Sequence, residues 1–109
     1  MAVYRKSLDD EPDAVEEYLH GEAEAVQLGQ VIVWRSRLKP GWSWLADAKP
    51  KNGMDYCPGD HFEYVVQGRI KYRNQDGSET EGKAGDFLVI EPGHQGEVMG
   101  DELCVLIDW

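Results

Sequence analysis

The chain has 109 residues, 41% of them hydrophobic, and 21 acidic against 11 basic side chains give a formal net charge of −10. That length holds one domain with one core, and the hydrophobic fraction is that of a folded chain. The acidic balance, with no Lys/Arg cluster to offset it, argues against a nucleic-acid partner.

No apolar run approaches the roughly 20 residues that span a bilayer. The opening Met1-Ala2-Val3-Tyr4-Arg5-Lys6 has no apolar signal core, so a cytoplasmic location without membrane contact is the expectation. Residues 1–29 are acidic and weakly patterned and read as an N-terminal extension packing on a domain formed by 30–109. Within that helical or irregular segment, Asp13–Leu19 suits a short helix, with Pro12 near its start and Gly21 beyond its end.

From Gln30 the pattern changes to period two. Ile32, Trp34, Ser36 and Leu38 share one strand face, and Val31, Val33, Arg35 and Arg37 share the other. Pro40-Gly41 breaks this strand. Trp42 and Trp44 then fall on one face if Gly41–Ala46 is extended, as core or interface aromatics or as the wall of a pocket. His61–Val66 and Arg69–Arg73 are strands on either side of Gly68, and Asn74-Gln75-Asp76-Gly77 is a tight hairpin. Ser78–Glu81 returns, Phe87–Ile90 is an apolar strand stopped by Pro92-Gly93, and Gln95–Met99 and Glu102–Ile107 supply two more. Many short strands between glycine turns, with little helix, define an all-β sandwich or small barrel of roughly eight to ten strands.

The residues with chemistry gather between 54 and 96. Cys104, inside Leu103–Ile107, reads as a small core hydrophobe, whereas Cys57 lies in a polar Tyr-Cys-Pro-Gly-Asp loop that suits a ligand or a reactive thiol. Asp55, Cys57, His61 and His94 can bind a metal through oxygen, sulfur and nitrogen. The set suits zinc in a tetrahedron, with iron, nickel or copper as alternatives. Against this stand plainer readings: histidines bonded to each other, to Glu63 or to water; Cys57 as a loop thiol; Asp55 as a turn cap. Asp60 and Asp86 read as turn residues. Glu63 shares strand parity with His61 and points inward, and Tyr56 and Trp44 are the further candidates for contact with a ligand.

This arrangement resembles the cupin superfamily, whose first motif is G-x5-H-x-H-x3–4-E-x6-G and whose second is G-x5-P-x-G-x2-H-x3-N. Aligning on Gly68 puts His61 at the family glutamate and Asp55 and Cys57 at the two family histidines. Gly85 and Gly93 match the second motif, Glu91 replaces its proline, and Gly96 and Gly100 stand at its histidine and asparagine. His94 lies two residues before Gly96, on the same face of a regular strand. Small single-domain, cupin-2-like proteins share more. They show P-G-W, C-x3-H, Y-V-x-x-G-R, D-G, P-G-H, G-D-E and D-W or D-F, met here by Pro40-Gly41-Trp42, Cys57 to His61, Tyr64-Val65-Val66-Gln67-Gly68-Arg69, Asp76-Gly77, Pro92-Gly93-His94, Gly100-Asp101-Glu102 and Asp108-Trp109.

The resemblance, over about residues 30–109, implies a cupin jelly-roll β-barrel, an internal site for a divalent metal and a homodimer. It leaves two functions open. One is a metal-dependent enzyme acting on a small organic acid or sugar-like molecule; the other is a metal-free module that binds or senses such a molecule. It does not assign a reaction.

Overall fold

The structure, a computed structural model, describes residues 2–109. Nine strands are present among the described residues: β1 (Ala14–Tyr18), β2 (Gly21–Leu28), β3 (Val31–Leu38), β4 (His61–Gln67), β5 (Arg69–Asn74), β6 (Glu79–Lys83), β7 (Phe87–Ile90), β8 (His94–Met99) and β9 (Cys104–Asp108). They form a six-stranded sheet in the order β1-β2-β3-β9-β4-β7 and a three-stranded sheet in the order β6-β5-β8. All pairings are antiparallel. The sheets enclose a core of Leu38, Trp42, Val65, Ile70, Val98, Cys104 and Leu106, with Tyr18, Tyr72 and Leu88 packed against it. Cys104 is fully buried and Asp86 accepts a turn hydrogen bond from the Lys83 N–H, both as expected. Among the described residues no helix is long and apolar enough to cross a membrane.

The N-terminal reading needs correcting. Asp13–Leu19 does not form a helix; Ala14–Tyr18 is strand β1, paired residue for residue with Ala25–Gly21 of β2. A five-residue stretch with Val15 and Tyr18 fits either period, and pairing with the β2 hairpin supplies backbone partners that an isolated turn of helix lacks. Strand β2, which no pattern read above signals, buries Ala23, Glu24, Ala25 and Val26. Glu24 is tolerated there because Arg35 and Arg37 both donate to its Oε1. Ala14–Tyr18 and Gly21–Leu28 are therefore strands of the large sheet itself, joined by a turn at Leu19-His20, and position 29 lies in the β2–β3 turn.

Gly41–Ala46 is not extended either. Trp44–Ala48 makes one π-helical turn, capped by the Ser43 side chain, and Lys49–Asn52 follows as a short helix α1. The buried Asp47 fixes this excursion to the β1–β2 turn by accepting from the His20 N–H at 2.7 Å, the Ser43 N–H at 3.1 Å and the His20 ring.

Gly68 is the corner at which the chain leaves one sheet for the other. Its φ is +78°, and a Cβ there would stand 2.7 Å from the Leu103 carbonyl oxygen. Both the backbone region and the space exclude a side chain. Gly68→Ala is expected to lower unfolding stability by about 2–3 kcal/mol in a denaturant titration; a change within about 0.5 kcal/mol would contradict this account of the corner.

Candidate metal centre

Strand parity delivers the inward groups. On β4, His61, Glu63 and Val65 alternate toward the interior, and on β8 His94, Gly96 and Val98 do the same, with His61, Glu63, His94 and Gly96 lining the cavity. The loop before β4 is tied across to β8 by two backbone bonds, Cys57 N–H to the His94 carbonyl and Gly93 N–H to the Cys57 carbonyl, both 2.8 Å. That bridge brings Cys57 to the two histidines. One donor atom from each of Cys57, His61 and His94 lies within 4.8 Å of the others, the one such three-residue group among the described residues.

The donors are directed. His94 Nδ1 lies 2.7 Å from the Glu91 carbonyl oxygen, which only accepts, so Nδ1 carries the proton and Nε2 keeps its lone pair. His61 turns Nε2 toward Cys57 Sγ at 3.6 Å, while its Nδ1 lies 3.5 Å from Asp108 Oδ2. The two rings meet edge to face with centroids 5.2 Å apart. Zinc bonds of about 2.3 Å to sulfur and about 2.0–2.1 Å to nitrogen place tetrahedral S and N ligands about 3.5 Å apart, close to the Cys57–His61 separation. Burial lowers the pKa of both histidines, which keeps them neutral and able to ligate. Burial pushes the Cys57 thiol up, partly offset by a hydrogen bond from the Gly59 N–H. A soft sulfur, two neutral imidazoles and a fixed tautomer form a donor set that fits a divalent metal ion.

Two proposed contacts lie elsewhere. Asp55 is mostly exposed and pairs with Lys49 at 2.5 Å, outside the three-residue group, because its backbone precedes the bridge that pulls Cys57 inward. Tyr56, half-buried in the loop beside Cys57, is not among the residues that line the cavity. Glu63 and Trp44 do line the cavity, despite the π-turn at Trp44, whose Nε1 donates to the Met54 carbonyl.

The cavity beside the donors measures about 120 Å³ and is walled further by Tyr18, Ser36, Trp42, Tyr72 and Asp108. Tyr72 donates to Glu63 Oε1 at 2.7 Å. Burial, with a smaller push from Asp108 and against that hydrogen bond, raises Glu63 to about 8; burial raises Asp108 to about 6. Tyr72 and Asp108 escaped the sequence reading, although each ends an alternating inward stripe, Ile70–Tyr72 and Cys104–Leu106–Asp108. A larger groove of about 590 Å³, between Asn74–Asp76 and Leu88–Gly93, gathers no group of metal-binding side chains.

The geometry also accounts for the glycine at position 96 of β8. A Cβ on Gly96 would stand 2.9 Å from Tyr72 Cε1 and 3.6 Å from the Trp42 ring. With those rings filling the space, a side chain at 96 has no room, and the imidazole comes from position 94 instead.

No protein-family model matches the chain, and no curated protein matches it by sequence. Solved structures match by fold. Oxalate decarboxylase from Lactobacillus farciminis, in a formate complex, superposes with a TM-score of 0.65 at 16% identity, over 99% of this chain and 33% of that one. Oxalate decarboxylase from Bacillus subtilis at pH 4.6 gives 0.59 at 19% identity, over 93% of this chain and 27% of that one. A protein of unknown function from Rhizobium leguminosarum gives 0.63 at 16% identity, over 99% and 95% of the two chains. The chain thus spans about a third or less of the decarboxylases. With the two facing antiparallel sheets, these likenesses establish the fold as an all-β cupin jelly roll.

Proposed function

We propose that Cys57, His61 and His94 hold one divalent ion, zinc in preference to iron, nickel or copper, and that the adjoining cavity binds a small polar molecule. The observation that carries this reading is the convergence of one sulfur and two imidazoles, with His94 Nδ1 committed to the Glu91 carbonyl. Three protein donors leave a tetrahedral ion one open position, the arrangement of sites that act on a bound ligand rather than purely structural ones. A bound ion supplies Lewis acidity there. This chain's own residues contribute an apolar-aromatic wall, the Glu63 and Asp108 carboxyl groups, and exclusion of bulk water. The test is metal content and thermal stability: protein purified without tag or chelator is expected to carry one ion per chain and to lose thermal stability when a chelator removes it. Metal-free protein that gains no stability from any added divalent ion would favour a metal-free binding module.

The partner proposed for the outer face is a second copy of the chain. Phe62 stacks on Trp109, Tyr64 packs on Phe87 at 4.6 Å, and Phe62 registers with Val89. Phe62, Phe87, Val89 and Trp109 are each about half exposed or more. Together they present on the order of 500 Å² of apolar surface, large for a monomer and most of one side of an ordinary interface. Strand β7 is also a sheet edge, able to pair antiparallel with its own copy. Replacing Phe87 and Val89 together with lysine is expected to halve the mass measured by light scattering; an unchanged mass would contradict it.

A further inference from the structure

The two cysteines differ in what can reach them. Cys104 is fully buried in the core and is not among the cavity's lining residues, whereas Cys57 is half-buried and lines the cavity. The loop beside Cys57 leaves the donor atoms uncovered on one side. A Cβ at Gly59 would meet, as its nearest atoms, the His61 ring, with Nε2 at 3.5 Å, and Cys57 Sγ at 3.7 Å. The missing side chain is thus a notch over both. The Gly59 N–H also donates to the sulfur, which favours its anionic form. The adjoining volume of about 120 Å³ equals that of roughly four liquid waters at about 30 Å³ each, so it admits a molecule of a few heavy atoms.

We infer that Cys57 is a site of oxidation by hydrogen peroxide or a comparably small hydroperoxide, reached past Gly59, and that its oxidation releases the ion. The inference rests on the proposed metal at Cys57, His61 and His94. A thiol held by a divalent ion is deprotonated, and the thiolate is the form that attacks a peroxide. The Cys57 sulfur bonds to one peroxide oxygen as the O–O bond breaks. Sulfur loses two electrons, and the second oxygen leaves as hydroxide, which takes up a proton to become water. The product is a sulfenic acid, a harder and poorer donor than the thiolate, and only the two imidazoles remain as good ligands. No disulfide closes within the chain, because the other sulfur, Cys104, is sealed in the core. An external thiol returns Cys57 to its reduced form and restores the site.

Zinc-loaded protein is treated with hydrogen peroxide beside an untreated sample. A chromogenic chelator follows zinc release, and peptide mass spectrometry locates the added oxygen. Release is expected to track oxidation of Cys57 one for one, with Cys104 unmodified. The oxidised chain is expected to bind zinc at least about a hundredfold more weakly, as for any lost donor. Gly59→Ala keeps all three donors and the N–H. It is expected to hold one zinc per chain and to release it to peroxide at least about fivefold more slowly, because the added methyl group stands over the sulfur. Three results would each overturn the inference while leaving the metal reading intact: Cys57 unmodified when the exposed Met54 is oxidised, zinc retained by chains oxidised at Cys57, or an unchanged release rate in Gly59→Ala. Protein that takes up no zinc overturns the metal reading, and this inference with it.

Discussion

His61→Ala and His94→Ala are each expected to weaken zinc binding by more than about a hundredfold, measured by competition with a chromogenic chelator. Removing a group that merely supports a ligand costs about 10–100-fold, and these residues supply the donor atoms themselves. Asp108→Asn falls in that lower range, because Asp108 approaches His61 Nδ1 at 3.5 Å and helps hold Nε2 toward Cys57. Asp55→Ala is expected to change nothing: its carboxylate is exposed and paired with Lys49. Cys57→Ser exchanges a soft sulfur for a hard hydroxyl and should reduce zinc affinity about as much as loss of a histidine. Equal affinity across all these variants would show that the ion, if any, binds elsewhere.

A second large effect is expected in the metal-free protein, whose unfolding free energy should fall between pH 6.5 and 8. Glu63 is raised from 4.5 to about 8 by burial. A carboxyl group whose folded pKa is raised keeps its full contribution below the unfolded pKa and loses it as pH climbs to the folded one. Asp108, raised from 3.8 to about 6, acts with the same sign at lower pH. His61 and His94, lowered from 6.5, oppose both until the unfolded imidazoles lose their protons about one pH unit above that value, so they offset part of the fall and the upper end of the window reports chiefly Glu63. A single such proton changes stability by up to about 1.4 kcal/mol per pH unit, which makes the fall about 1–2 kcal/mol. Denaturant titrations at the two pH values measure it. Glu63→Gln, similar in shape and uncharged, should flatten the profile; a profile that is flat or rising in the parent protein would contradict the buried, protonated carboxyl described here.

Much of the barrel was legible because its signals are local. Gly68, Asp76-Gly77 and Pro92-Gly93 mark turns through backbone conformation, and alternation in β4, β8 and β9 fixes which side chains face inward. That is why His61, Glu63 and His94 could be placed in one cavity from sequence. What failed depended on partners outside the segment itself. Ala14–Tyr18 is a strand only because β2 lies beside it, and Glu24 is buried only because two arginines of β3 meet it. Asp55 and Cys57 hold equivalent motif positions, yet the bridge to His94 draws in Cys57 alone. No periodicity in residues 54–60 encodes that difference; it arises from cross-strand bonding between two loops.

X-ray absorption at the zinc edge of zinc-loaded protein bears most directly on the site. The geometry predicts one sulfur at about 2.3 Å, from Cys57, with two imidazole nitrogens at about 2.0–2.1 Å and one further light atom. A coordination shell of oxygen and nitrogen alone, with no sulfur, would contradict it.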